Sequence, residues 1–156
     1  MSDTRIIPAA SPSQIKRVGN LFREYADATG ACECFEGFAK ELAGLPGPYR
    51  PPSGQLLLAE LDDRSAGCVA LRKLEDGIGE MKRLYVRPAF RGRNLGRQLA
   101  EAVATEARRI GYRAIRLDTL PSMVAARALY RSLGFLAIPR YNDNPGAGVI
   151  HLELRL

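Results

Sequence analysis

Residues 80–97 read Glu-Met-Lys-Arg-Leu-Tyr-Val-Arg-Pro-Ala-Phe-Arg-Gly-Arg-Asn-Leu-Gly-Arg. An apolar β-type run, Leu84 to Val86, breaks at Pro88, and a short loop then carries Arg91, Gly92, Arg93, Asn94 and Gly96. Leu95, Leu99 and Val103 follow four apart, the spacing of one helix face. A strand, a tight basic turn and a helix start make a cradle for a pyrophosphate. Backbone N–H groups at a helix start lack intrahelical acceptors, and the helix dipole favours an anion there. Lys82, Arg83, Arg87, Arg91, Arg93 and Arg97 crowd around this turn. Arginine suits phosphate because its planar fork donates two parallel hydrogen bonds.

Two common phosphate loops do not fit. A Walker A loop requires Gly-x-x-x-x-Gly-Lys-Ser/Thr, and the turn has no Lys-Ser or Lys-Thr. A dinucleotide fingerprint requires G-x-G-x-x-G, whereas Gly92 and Gly96 have the wrong spacing. The arrangement Arg91-x-x-Asn94-x-Gly96 instead resembles the acyl-CoA loop of the GCN5-related N-acetyltransferases, written Arg/Gln-x-x-Gly-x-Gly/Ala after Val-x-Pro-x-x-Arg-Gly. Val86, Pro88, Arg91 and Gly92 match the longer form. Asn94 replaces the first motif glycine. Asparagine tolerates a left-handed backbone better than other side chains and is also a good helix N-cap.

A second block, Ala126-Arg-Ala-Leu-Tyr-Arg-Ser-Leu-Gly-Phe135, resembles the family's Ala-x-x-Leu-Tyr-x-x-x-Gly-Phe helix. The family places an asparagine three residues before that alanine, where it contacts pantetheine. Met123 stands there instead. Together the blocks cover about residues 66–139. The stretch Tyr141-Asn-Asp-Asn-Pro-Gly-Ala-Gly148 resembles a loop in an uncharacterised bacterial branch of the family.

With 156 residues, 46% of them hydrophobic, the chain reads as a single domain spanning residues 1–156 with a real core. No apolar run approaches the ~20 residues needed to span a membrane. Three cysteines and no apolar leader point to reduced thiols in a cytoplasm. Cys32 and Cys34 with one distant His151 do not make a four-ligand zinc site, so no metal is expected. His151 falls in the alternating run Val149-Ile-His-Leu-Glu-Leu154 and reads as a structural or surface histidine rather than a base.

The net charge of +6 is uneven. Residues 21–80 hold eleven acidic and six basic residues, whereas residues 81–140 hold three acidic and thirteen basic ones. Because the basic charge centres on the anion loop with few aromatics between, a compact polyphosphate donor explains it better than nucleic acid. The acidic N-terminal half favours a cationic substrate.

The predicted elements are a strand at Arg5–Pro8, a helix opened by the capping box Ser11-Pro12-Ser13-Gln14, and a second helix from about Cys34 to Ala43. A stiff, exposed proline loop, 45–52, comes next. Strands at 54–61, 66–74 and 77–87 precede a helix at 94–110 closed by Gly111. A strand at 114–119, a helix at 122–133 closed by Gly134, and strands at 135–140 and 149–155 complete the order. This is an α/β chain with a mixed, mostly antiparallel sheet of about seven strands flanked by about four helices. The resemblance implies the family's acyl-CoA N-acyltransferase fold, splayed between strands 4 and 5, with the thioester of acetyl-CoA near strand 5 and the last helix.

The resemblance also implies roles. Tyr130 would be the general acid for the leaving thiolate, since a phenol of pKa ~10 stays protonated at neutral pH. Spacing alone fits an aromatic core anchor equally well. Glu80 would be the base, unless a chain of waters serves instead, and Lys82 shares its strand face. Leu84, Tyr85 and Val86 would hold pantetheine through their backbone. Arg91, Gly92, Arg93, Asn94, Leu95, Gly96 and Arg97 would hold the pyrophosphate, and Met123, Ala126 and Tyr130 would flank the donor. Tyr25, Phe35, Tyr49, Tyr141 and Asn142 are candidates for the acceptor pocket. The reading is direct acetyl transfer from acetyl-CoA to a primary amine of a small molecule or peptide, without nucleic acid or membrane, in a chain whose family often forms homodimers. The alternative is a non-catalytic acyl-CoA sensor.

Overall fold

A computed structural model of the chain describes residues 3–29 and 37–156. Phe35, Cys32 and Cys34 lie outside the described residues, as does the start of the second predicted helix. Strand β1 (Thr4–Pro8) leads into helix α1 (Pro12–Thr29). Its start is the predicted capping box. The Gln14 backbone N–H donates to Ser11 Oγ at 3.2 Å, and the Ser11 N–H donates to Gln14 Oε1 at 3.0 Å. Helix α2 (Phe38–Ala43) precedes the proline-rich segment.

That segment holds a 3₁₀ turn, Gly47–Tyr49; Pro48, Arg50, Pro51 and Pro52 are exposed as expected from the prolines, but Tyr49 is not. Tyr49 is 1% exposed and packs edge-on against Phe22, with ring centroids 6.1 Å apart. Its aromatic surface has more to gain from the core under α1 than from water.

Strands β2 (Gln55–Leu61), β3 (Arg64–Glu75) and β4 (Ile78–Val86) form an antiparallel meander. Helix α3 (Leu95–Ile110), strand β5 (Ala114–Thr119), helix α4 (Val124–Leu133), strand β6 (Leu136–Ala137) and strand β7 (Ile150–Arg155) follow. The sheet order is β1-β2-β3-β4-β5-β7-β6, and only β4 and β5 run parallel. Strand β6 is shorter than the predicted 135–140. It pairs with β7 through Leu136 and Ala137 alone.

The sheet separates two cores. On one face α3 buries Leu95, Leu99, Val103 and Ala107 against Leu57, Val69, Leu71, Met81, Ile115 and Leu117. On the other, α1 buries Val18, Leu21 and Phe22 against Leu56, Leu58, Cys68, Ala70 and Tyr85. Each fully buried leucine contributes about 1.5–3 kcal/mol. Among the described residues no helix is long and apolar enough to cross a membrane.

Two features open the sheet in its middle. The β4–β5 ladder runs only from Ile78↔Ala114 to Glu80↔Arg116. Beyond it β4 stays with β3, while β5 follows β7 out to Thr119↔Ile150. Between the pairs Ala70↔Lys82 and Cys68↔Tyr85, β4 carries one residue more than β3. This bulge places Arg83 at φ +61°, a left-handed conformation that non-glycine residues adopt at a cost.

Candidate active site

The facing edges of β4 and β5 expose backbone groups that no strand satisfies, and such groups demand a partner. A cleft of about 570 Å³ begins there. Leu84, Tyr85 and Val86 form its β4 wall, Arg91, Gly92, Asn94, Leu95 and Gly96 its loop end, and Met123 and Ala126 its α4 wall. Ten of the residues expected around a donor therefore meet at one opening. Arg93 and Arg97 are not among the lining residues. Arg97 pairs with Glu101 at 3.3 Å and reaches Ser132 Oγ at 2.9 Å.

The loop works through its backbone. Gly92 sits at φ +80° and Asn94 at φ +65°, which turn the chain into α3. Asn94 thus takes the left-handed position of the motif glycine it replaces. Its side chain makes no capping hydrogen bond, so the expected N-cap role is absent. At Gly96 an added Cβ would lie 3.5 Å from Leu129, an ordinary contact between α3 and α4.

Much of the basic charge is matched inside the protein. Arg87 clamps Glu24 of α1 with contacts of 2.9 and 2.7 Å. Arg83 clamps Glu41 of α2 at 3.1 and 3.0 Å. Arg91 Nε donates to the Val86 carbonyl at 3.1 Å and steadies the loop.

A narrow recess of about 40 Å³ continues from the cleft, and the two spaces share Tyr25, Leu84 and Met123. Tyr130, Asp118, Thr119 and Lys82 also line it. Tyr130 is 5% exposed, and its ring lies 5.5 Å from that of Phe135. It is a core residue and a wall of the recess at once. Met123 begins α4 and accepts a hydrogen bond from Thr119 Oγ1 on its sulfur at 3.6 Å.

A polar wall adjoins the recess through Asp118 and Lys82, which line it. Glu80 is buried and accepts the Tyr141 hydroxyl at 2.7 Å. Arg72 and Lys82 lie 3.6 and 4.0 Å from its carboxylate. Asn142 Nδ2 donates to Asp118 Oδ2 at 2.6 Å. The segment after β6 is thereby tied to β4 and β5 through Tyr141 and Asn142. Tyr25 stands in both the cleft and the recess, whereas Tyr49 lies in the core under α1. Asp118 and buried His151 went unselected in the sequence. The available signal was Asp118 itself, a carboxylate within the strand Ala-Ile-Arg-Leu-Asp-Thr.

Burial raises the phenol pKa of Tyr25 to about 12, and pushes Tyr49 and Tyr130 upward as well. Burial, then the Glu80 carboxylate, does the same to Tyr141. All four keep their protons in the folded state where the unfolded chain loses them, above pH ~10. The folded state then binds more protons, so stability is intact below pH ~10 and falls as pH rises beyond it. Each phenol should remove up to ~1.4 kcal/mol per pH unit in that window. Urea melts across the alkaline range check this: a midpoint unchanged through pH ~11 would refute it.

The chain matches the acetyltransferase (GNAT) family over residues 20–135. An uncharacterized N-acetyltransferase of Schizosaccharomyces pombe is 34% identical over 157 residues, covering 99% of this chain and 96% of the relative. The likeness therefore extends beyond bacterial proteins. An acetyltransferase of the GNAT family from Staphylococcus aureus superposes with a TM-score of 0.83 at 18% identity, over 98% of this chain and 99% of that one. The PaiA N-acetyltransferase of Thermoplasma acidophilum, solved in complex with coenzyme A, superposes with a TM-score of 0.76 at 16% identity, over 99% of each chain. At these identities the structural likeness shows the fold. With the match covering most of the chain and both motif blocks meeting at one opening, the protein belongs to the acetyltransferase (GNAT) family and is an acetyl-CoA-dependent N-acetyltransferase.

Proposed function

We propose that the protein transfers the acetyl group of acetyl-CoA directly to a primary amine while both substrates are bound. The observation that carries this reading is the continuity of the cleft with the recess through Tyr25, Leu84 and Met123. The diphosphate of the donor binds the 91–97 turn, its pantetheine arm follows the open edge of β4, and its thioester reaches the recess beside Tyr130. No metal takes part. The family fold supports the donor's path, and the donor supplies the activated acetyl group.

The amine enters from the polar wall, and its nitrogen attacks the thioester carbonyl. Tyr130 gives its proton to the departing thiolate, and burial keeps that phenol protonated at neutral pH. Glu80, already engaged by Tyr141 and two cations, sets the wall in place, and the proton of the amine leaves on this side. Among the described residues a covalent acetyl-cysteine step has no support: Cys68 is fully buried, and burial pushes its thiol pKa up, away from the reactive thiolate. The acceptor is a small-molecule or peptide amine rather than nucleic acid. We read residues 1–156 as one domain working in the cytoplasm, as a monomer or a homodimer.

The test begins with calorimetric titration of acetyl-CoA and, separately, of CoA. One-to-one saturable binding is expected, followed by thiol release with at least one class of primary amine. No binding of either would mean that Asn94 and Met123 have disabled the donor site. Binding without turnover for any amine would make the chain an acyl-CoA sensor.

A further inference from the structure

The chain has one histidine, and it is the anomaly of the polar wall. His151 is 5% exposed, yet among the described residues neither ring nitrogen has a hydrogen-bond partner. A buried imidazole with two unmatched nitrogens destabilises the fold, since one nitrogen must donate and the other accept. A leucine at this strand position would pack on Tyr141 without that cost. Most buried side-chain polar atoms are hydrogen-bonded, so this imidazole calls for an explanation.

Its location gives the reason for keeping it. His151 on β7 stands directly opposite Asp118 on β5, so both side chains share the face that carries Glu80 and Tyr141. The imidazole meets the Tyr141 ring edge-on, with centroids 5.0 Å apart. Asp118 lines the recess beside Tyr130. The charged groups around this place are Asp118 and Arg116 on β5, Glu80 and Lys82 on β4, and Glu153 on β7. Arg116 is committed to Glu153 at 2.7 Å and to Glu75 at 3.0 Å, and Glu80 to Arg72, Lys82 and Tyr141. Asp118 has the amide of Asn142, and among the described residues His151 has no hydrogen-bond partner.

We propose that His151 is the proton acceptor for the incoming amine, paired with Asp118, which stabilises the imidazolium. This rests on the transfer reading above. The acceptor ammonium loses one proton to the imidazole, directly or through one water. The freed lone pair then forms the bond to the thioester carbon. As the tetrahedral centre collapses, the carbon–sulfur bond breaks, the thiolate takes the Tyr130 proton, and the second nitrogen proton leaves to restore the phenol. The imidazolium returns its proton to solvent, so one proton is released per acetyl group transferred. Glu80 acts as a positioning residue, holding Tyr141 against the imidazole. The structure thus assigns proton uptake to β7, a strand outside both motif blocks.

The test compares wild type with His151→Phe and Asp118→Asn, using acetyl-CoA binding and thiol release with a panel of alkylamines, diamines, amino-acid amides and arylethylamines. Unchanged acetyl-CoA affinity in both variants establishes that they are folded, and Asp118→Asn carries the test if His151→Phe is not. The expected result is a fall in kcat/KM for the amine of about 10²-fold for His151→Phe at neutral pH. The loss should shrink as pH rises, because an amine already neutral in solution needs no acceptor for its proton. A structural role would lower activity without changing that slope. Wild-type kcat/KM and pH slope in both variants would overturn the role of His151 and leave the transfer reading standing. Bound acetyl-CoA with no thiol release by wild type for any amine would overturn both.

Discussion

Tyr130→Phe should lower kcat by about two orders of magnitude and leave acetyl-CoA affinity nearly unchanged. The ring packs against Phe135 at the end of α4, and phenylalanine keeps that packing. Only the hydroxyl is lost, and with it, on the proposed mechanism, the proton for the departing thiolate. Burial raises the pKa of Tyr130 above the ordinary phenol value, so it holds its proton at neutral and mildly alkaline pH. An alkaline fall in wild-type kcat should therefore come from another group. Single-turnover thiol release at saturating acetyl-CoA reads this directly. Equal rates in the two proteins would remove the phenol from the chemistry and leave Tyr130 as a core aromatic.

Glu41→Ala should have the largest effect on stability, about 3 kcal/mol and a fall in Tm of roughly 6–10 °C. The Arg83 side chain is 8% exposed, and Glu41 meets it with two hydrogen bonds. Without Glu41 the buried guanidinium under α2 loses two charge-assisted hydrogen bonds, and removing one carboxylate from a buried charge is far costlier than the pair's net worth. Arg83 also occupies the left-handed residue of the β4 bulge, so the loss should loosen the edge that faces the cleft. Acetyl-CoA affinity should then weaken along with Tm. The double variant Glu41→Leu, Arg83→Met should recover most of the stability, because it removes both charges together. A melt unchanged by Glu41→Ala would show that water already reaches the guanidinium.

The turn into α3 was legible because its parts are local. The turn at 91–96 and the start of α3 are contiguous, so left-handed positions, glycines and helix periodicity appear in one short stretch. The same holds for the Ser11–Gln14 capping box and for Gly111 and Gly134, which close α3 and α4 in the left-handed conformation. Helix ends obey short-range rules. The basic cluster was only half legible. Its crowding was plain, but the partners of Arg83 and Arg87 lie 42 and 63 positions away, so their use as internal clamps was not. Tyr49 misled for a related reason. Its prolines mark a loop, while its burial depends on Phe22 of α1.

The sequence by itself determined the order of most elements, the basic left-handed turn into α3 and the family. These follow from hydrophobic period, backbone chirality and residues close along the chain. The polar wall was decided by tertiary structure alone. Tyr141 meets Glu80 across 61 positions, and His151 faces Asp118 only because β7 inserts beside β5 in one particular register. A shift of one residue in that register would turn His151 to the other face of the sheet. No local pattern specifies that choice. It is set by which strands pair once the two cores have closed.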